Sequence, residues 1–139
     1  GEMPSGTKLN VIQKYSFSIS SGTATDVGDL TGTRRDNACQ SSTDYGYTGS
    51  SAGGTAPATR IDRFAFASDG NATDWGTLGI SVERPTGNSS TTHGYFGGSG
   101  HSPYLNHIQK ISFASAGTAA DIGDLTNATG YGGTTGSNY

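Results

Sequence analysis

Short alternations of apolar and polar residues recur along the chain. Tyr15 and Phe17 alternate with Lys14 and Ser16, and residues 61–66 show the same alternation. A period of two residues places the apolar side chains on one face of a β-strand. Glycine-rich segments separate these runs, and no window has the 3.6-residue period that is typical of an amphipathic helix. The pattern therefore predicts an all-β chain of short strands.

The alternating segments belong to an internal repeat with a period of about 48 residues. Each copy opens with an Ile, at position 12, 61 or 108, and continues through an Asp, at position 26, 74 or 121, to a Leu. A second block is present twice, at residues 40–47 and 88–95, and a degraded third copy stands at residues 127–133. A period of this length is typical of proteins in which each copy forms one small structural unit.

The composition alone is compatible with two classes of protein. The chain has 23 glycines among 139 residues and a formal net charge of −3. Large apolar residues are few, as they are in disordered linkers. A disordered linker has no reason to hold the register of a repeat, so the repeat favours the folded alternative. Each copy has room for about four short strands, which is the size of one β-propeller blade.

The order of features within a copy resembles the kelch repeat. Residues 75–78 (Trp-Gly-Thr-Leu) match the Trp-x-x-Leu that closes a kelch blade, and Gly97-Gly98 matches its glycine pair. Val27 and Ile122 replace the tryptophan in the other two copies. The amino-acid sequence of the middle copy is also similar to repeats in virion proteins of marine and cyanobacterial tailed phages. That similarity rests on residues 61–74 and 89–95.

The resemblance implies kelch-like β-propeller blades of four antiparallel strands, with about three blades' worth of chain. It places the outer strands of a first blade in residues 1–33, a second blade in 34–79, a third in 84–126, and in 127–139 a fragment that completes a blade. Because propellers close with four to eight blades, this chain would be part of a longer propeller or of a ring completed by other copies.

The repeat also predicts a blade core. Phe17, Phe66 and Phe113 hold equivalent positions and are expected to be buried between neighbouring blades, with Trp75 in the core of the middle one.

The sequence offers no catalytic, metal or cofactor site. The repeated Asp residues are each followed two residues later by Gly, which is typical of a turn in which the carboxylate accepts a backbone hydrogen bond. His93, His101 and His107 have no zinc-site spacing, and Cys39 is the single cysteine. No nucleophile-elbow motif is present. We therefore expect neither an enzyme nor a cofactor-binding protein.

Charge and hydropathy exclude two classes of partner. Lys and Arg number 8 and are not clustered, so no basic surface for nucleic acid is expected. The longest apolar runs are only a few residues, which is too short for membrane insertion as a helix.

Tyr45 and Tyr104 lie outside the repeat consensus and are therefore the best ligand candidates, together with His101. Tyrosine presents a flat amphipathic ring that stacks on sugars. The function expected from these observations is a structural or adhesion module on a virion surface, in contact with other copies, other virion proteins or host glycans. The alternative is a lectin-like propeller with one weak sugar site per blade.

Overall fold

The computed structural model describes residues 2–18, 20–50, 53–100 and 103–128. All regular structure in these ranges is β, which confirms the all-β prediction. The strands, in chain order, are β1 (Leu9–Lys14), β2 (Thr25–Arg34), β3 (Ala38–Ser41), β4 (Tyr45–Gly49), β5 (Arg60–Ala65), β6 (Thr73–Thr77), β7 (Thr86–Ser89), β8 (His93–Ser99), β9 (Leu105–Ser112), β10 (Gly117–Thr118) and β11 (Ala120–Asp124).

The described strands form three sheets, which we call the first, middle and last sheets. The first pairs β1 with β2. The middle sheet has the order β3-β4-β5-β6, all antiparallel, with the short β10 added in parallel beside β6. The last has the order β7-β8-β9-β11, again antiparallel. In the middle and last sheets each antiparallel strand pairs with the next along the chain, except that β10, which lies between β9 and β11 in sequence, joins the middle sheet.

The sequence repeat is also a structural repeat at its hairpin turns. The backbone N–H of Tyr45 donates to the Ser42 hydroxyl at 3.1 Å, and that of His93 donates to the Ser90 hydroxyl at 3.1 Å. These serines hold equivalent places in tight turns, where a side-chain oxygen stands in for a backbone acceptor. The middle and last sheets are therefore built on the same local geometry.

The hydrophobic core lies between the middle and last sheets, which pack face to face. Tyr47 and Ile61 of the middle sheet meet Phe96 and Ile111 of the last. Gly49 makes room for Phe96, because a Cβ atom at Gly49 would lie 2.6 Å from the Phe96 ring. The buried members of this core are Ala38, Tyr47, Ile61, Leu78, Val82, Phe96, Ile111 and Ala119.

A buried ion pair joins the first sheet to the middle sheet. Arg34 and Asp62 are both fully buried, with their charged groups 2.7 Å apart. The backbone N–H and the hydroxyl of Thr31 also donate to the Asp62 carboxylate, at 2.9 and 2.7 Å. Burial lowers the pKa of the Arg34 guanidinium, because desolvation disfavours the charged form, and the Asp62 carboxylate opposes that shift.

The equivalent place between the middle and last sheets contains no charge. Val82 stands where Arg34 stands, and Gln109 stands where Asp62 stands. The Gln109 amide accepts from the Ile80 N–H at 2.8 Å and donates to the Ile80 carbonyl at 3.0 Å. One buried position is thus satisfied by an ion pair in one copy and by a neutral amide in the next.

The structure corrects the predicted core at two of its four residues. Phe113 packs against the core, stacked on Tyr47 with ring centroids 4.5 Å apart, and Trp75 is partly buried there. Phe66 is 49% exposed and Phe17 is 100% exposed, so the prediction that both are buried is wrong.

The reason is that burial of this position depends on a neighbouring sheet. Phe113 is covered by Tyr47, which lies on the inner strand β4 of the sheet before it. The sheet before Phe66 is the first sheet, in which the described residues supply only β1 and β2 and no inner strand with a tyrosine. Phe17 lies in that first sheet's own copy and has no described sheet before it.

Candidate functional site

An apolar groove runs along β1 and the turn that follows β5. Its volume is about 300 Å³. Two aromatic pairs flank it: Tyr15 with Phe17, with centroids 6.3 Å apart, and Phe64 with Phe66, 6.0 Å apart, both edge to face. The lining residues are Ile12, Gln13, Lys14, Tyr15, Phe17, Val27, Phe64, Ala65, Phe66, Ser68, Asp69 and Gly70. We call this surface the aromatic groove.

The aromatic groove is the open counterpart of a filled place elsewhere in the molecule. Between the middle and last sheets, Tyr47 lies opposite Arg63 in the β4–β5 pair and contacts Trp75 and Phe113. The residues equivalent to these three neighbours all line the groove, namely Lys14, Val27 and Phe66. The groove is therefore lined like the place that Tyr47 fills, but no tyrosine of the described residues fills it.

The rim of the groove is polar and solvated. Lys14 forms an ion pair with Asp69, and both side chains are more than half exposed. An exposed pair of this kind contributes little to stability. Aromatic side chains such as those of the groove are enriched where proteins contact one another.

A second concave surface lies between two hairpin tips, and we call it the tip cleft. Its volume is about 260 Å³. The tip before β4 contributes hydroxyls and a carboxylate, and the tip before β8 contributes more hydroxyls. The lining residues are Ser42, Thr43, Asp44, Tyr45, Thr91, Thr92, Phe113 and Ala114.

Tyr45 is held at the wall of the tip cleft by a stacked arginine. The Arg63 guanidinium lies 4.4 Å from the centroid of the Tyr45 ring and 3.9 Å from that of Trp75. Trp75 is fixed in turn, since its indole N–H donates to the Ser112 carbonyl at 3.1 Å. Cation–π contacts of this kind are worth about 0.5–2 kcal/mol each, so the ring orientation is defined before any ligand binds.

The structure does not bring the predicted ligand residues together. Tyr45 begins β4 at the hairpin-tip end of the sheets. Tyr104 is 58% exposed and precedes β9, whose first residue pairs with Ser99 at the far end of β8. Tyr45 and Tyr104 therefore lie at opposite ends of the strands, and His101 lies outside the described residues.

Sequence reasoning missed Arg63 and the groove residues Tyr15 and Phe64. A signal for Arg63 was present: the other copies have Lys14 and Lys110 at its position. The middle sheet thus departs from the other copies at Tyr45, Arg63 and Trp75 together, and the structure shows that these three side chains form one stack.

The acidic residues of the repeat accept backbone hydrogen bonds and form ion pairs. Asp26 accepts from the Gly28 N–H at 3.2 Å, and Asp121 accepts from the Gly123 N–H at 3.3 Å, which confirms the predicted bond from carboxylate to backbone. The predicted turn is wrong for these two, because they lie within β2 and β11, where the strand register shifts. Among the described residues, no three His, Cys, Asp or Glu side chains are grouped closely enough to hold a metal ion.

Two comparisons with known proteins found no match. No protein-family model matches the chain, and no curated protein matches its sequence. In the part of the chain that the structure describes, no helix is both long and apolar enough to cross a bilayer.

Proposed function

We propose that the chain is a non-catalytic structural or adhesion module made of kelch-like propeller blades, which contacts a protein or a host surface through its aromatic groove. The observation that carries the proposal is the groove itself. Four aromatic rings flank an apolar groove with a volume of about 300 Å³, which the described residues leave open. Aromatic side chains in such a setting are the residues that dominate protein interfaces.

The arrangement of the sheets supports the blade assignment. The middle and last sheets repeat one strand order and pack face to face, as propeller blades do. Their innermost strands also touch, since the Ser41 N–H donates to the Ser89 hydroxyl at 3.0 Å. Equivalent strands of successive copies therefore lie side by side on one edge of the stack, where a propeller has its central channel.

The virion setting of the proposal rests on the resemblance of residues 61–74 and 89–95 to phage repeats. A module of this kind would lie on the particle surface and contact other virion proteins or the host. The aromatic groove fits such a role, because apolar contact needs no enzyme chemistry and gains avidity when the module is present in many copies.

The adhesion proposal is tested by binding to cells. Beads coated with the chain are expected to retain intact marine cyanobacterial cells from a panel of strains. Phe66→Ser removes half-exposed aromatic surface from the groove. It is expected to lower retention about tenfold, since burying such a side chain is worth about 1.5–3 kcal/mol.

The matched control is Tyr104→Ser, which removes another exposed aromatic ring away from the groove. It is expected to leave retention unchanged. Equal retention by the wild type and Phe66→Ser, or retention of no strain at all, would contradict the proposal.

A second candidate function, sugar binding, is favoured by the tip cleft. There a tyrosine ring fixed by Arg63 lies beside the Asp44 carboxylate and several hydroxyls. Aromatic stacking combined with such hydrogen-bonding groups is the usual chemistry of sugar recognition. The equivalent of Tyr45 in the last sheet is His93, so the complete set is present once among the described residues.

A glycan array tests the second candidate. The wild type, displayed in multivalent form, is expected to bind a small group of glycans, and Tyr45→Ser is expected to lose that signal by about tenfold or more, since hot-spot aromatics are worth about 2 kcal/mol. Tyr104→Ser, at the other end of the strands, is expected to keep the signal. If every glycan is ignored, or if Tyr45→Ser binds like the wild type, the cleft is not a sugar site.

A further inference from the structure

The first sheet exposes a face that the last sheet buries. In the last sheet, Gln109, Ile111 and Phe113 pack on the middle sheet. Their equivalents in the first copy are Gln13, Tyr15 and Phe17, and all three are exposed. We call these three residues the head face. Like the buried face of the last sheet, it presents a glutamine, then a large apolar side chain, then a phenylalanine.

The last sheet exposes the opposite half of the same interface. On the middle sheet, Tyr47 and Ile61 are buried beneath the last sheet. Their equivalents on the last sheet are Tyr95 and Ile108, which are only partly buried. A hollow of about 300 Å³ there is lined by Thr86, Asn88, Ser89, Tyr95, Gly97, Ile108 and Leu125. We call this surface the tail face.

The tail face has the same shape as its filled counterpart. The hollow is floored by Gly97 and Ile108, as the middle sheet is floored by Gly49 and Ile61. In the middle sheet that floor receives Phe96, because a Cβ at Gly49 would lie 2.6 Å from the Phe96 ring. The tail face therefore keeps the hollow that a following sheet fills in the middle sheet. The described strands of the first sheet, β1 and β2, offer it no counterpart of Phe96, so the contact proposed below engages Tyr95 and the β11 edge.

The backbone edges of successive copies also interlock. A Cβ atom at Gly28 would lie 2.2 Å from the Gly70 carbonyl oxygen, and one at Gly76 would lie 2.0 Å from that of Gly117. The equivalent Gly123 on β11 has nothing within 4 Å. Its complement is Gly22, which holds the position of Gly70 and Gly117 and has a positive φ as they do.

Backbone hydrogen bonds repeat across these edges. The Ala72 N–H donates to the Asp29 carbonyl at 2.8 Å, and the Ala119 N–H donates to the Thr77 carbonyl at 2.8 Å. The next member of the series would join Ala24 to Asp124. All five residues of β11 are exposed, so this edge is accessible to another chain.

We propose that a second copy of this chain docks head to tail, with Phe17 of one copy stacked on Tyr95 of the next, as Phe113 stacks on Tyr47. The inference rests on the proposed function and deepens it, because the three head-face residues also line the aromatic groove and a second copy is the protein that this end of the groove would contact. The contact continues an interface that the molecule already forms between its own sheets. Because it joins two different faces, it builds a ring if the rotation closes and a filament if it does not.

Sedimentation velocity of the 139-residue chain over a range of concentrations tests the proposal. The wild type is expected to show a mass above that of the monomer that rises with concentration. Phe17→Ser alters the head face. Ile122→Lys places a charge beside the tail face, at the position equivalent to Trp75, which contacts Tyr47 in the middle sheet. Each is expected to weaken association about tenfold or more, as loss of a hot-spot contact does.

Mixing the two variants gives the sharper result. The Phe17→Ser copy keeps its tail face and the Ile122→Lys copy keeps its head face, so an equimolar mixture is expected to form one-to-one dimers and nothing larger. Both residues are exposed, Phe17 fully and Ile122 at 47%, so circular dichroism and thermal midpoints are expected to match the wild type. Should one variant fail to fold, the other still reports on its own face.

Tyr104→Ser is the matched control and is expected to associate like the wild type. A wild type that stays monomeric at its highest soluble concentration would overturn the proposal. So would association that both variants leave intact, or a mixture that forms no dimers. If the chain does not associate but still retains cells, a second copy is rejected as the partner and the adhesion proposal stands. If the chain associates but retains no cells, the adhesion proposal is rejected and the second copy stands as the partner.

Discussion

Asp62→Asn is expected to lower the free energy of unfolding by about 3–5 kcal/mol, because it leaves the buried Arg34 guanidinium without its carboxylate. Both charged groups are fully buried and 2.7 Å apart. The asparagine keeps the shape of the side chain but no longer compensates the charge. Thr31 would also lose the carboxylate that now accepts two of its hydrogen bonds. Urea unfolding at neutral pH, followed by circular dichroism, measures the change.

The repeat supplies its own rescue for this substitution. Between the middle and last sheets, Val82 and Gln109 occupy the positions of Arg34 and Asp62. The double variant Arg34→Val, Asp62→Gln copies that neutral solution and is expected to recover part of the lost stability, because no uncompensated charge stays buried. Recovery is incomplete because valine is smaller than arginine and leaves a cavity.

Asp69→Asn is the matched control, because Asp69 pairs with Lys14 at the surface. An exposed ion pair is worth about 0–1 kcal/mol, so little change is expected. If Asp62→Asn were no more costly than Asp69→Asn, the Arg34–Asp62 pair would not be the buried link between the first and middle sheets.

Tyr47→Ala is expected to destabilise the chain by about 3–5 kcal/mol, the usual cost of truncating a buried aromatic side chain. Tyr47 is 1% exposed, stacks on Phe113 and meets the edge of Trp75 at 5.9 Å between ring centroids. Its removal would open a cavity between the middle and last sheets like the groove that already exists beside β1. Thermal and urea unfolding at low protein concentration measure the loss.

Tyr95→Ala is the control that the repeat provides. Tyr95 holds the same place one copy later but is only partly buried, since the described residues place no sheet over it. Its truncation is expected to cost at most about a third of the Tyr47 loss under dilute conditions, in line with the smaller apolar area removed from contact. Equal losses for the two tyrosines would show that burial between sheets is not what distinguishes them.

Sequence reasoning identified the local structure because local structure repeats. Two-residue alternation identified the strands around Phe64 and Ile111, and the Ser42 and Ser90 turns recur with the same hydrogen bonds. Around Tyr15 and Phe17 the predicted strand is wrong, because β1 ends at Lys14. Burial did not follow from the repeat in the same way. Phe17 and Phe113 have equivalent sequence environments, yet one is exposed and the other is packed, because only Phe113 has a sheet before it that carries a tyrosine.

The candidate sites show the same division. Tyr45 was predicted as a ligand residue because it departs from the repeat, and the structure places it in the wall of a cleft. The aromatic groove was not predicted. It exists because the described residues of the first sheet include no inner strand to cover it, and no pattern within residues 12–17 indicates whether such a strand is present. The Arg34–Asp62 pair was also missed, because its two partners are replaced by Val82 and Gln109 in the next copy.

Asp36 and Arg84 stand at equivalent positions of two successive copies, share a left-handed backbone with φ of 54° and 53°, and form an ion pair with each other at 2.9 Å. A tandem duplication of either copy would bring two carboxylates or two guanidinium groups together at this junction, which costs free energy. Copies of the repeat that share this backbone conformation therefore cannot be exchanged in their order along the chain without placing like charges together.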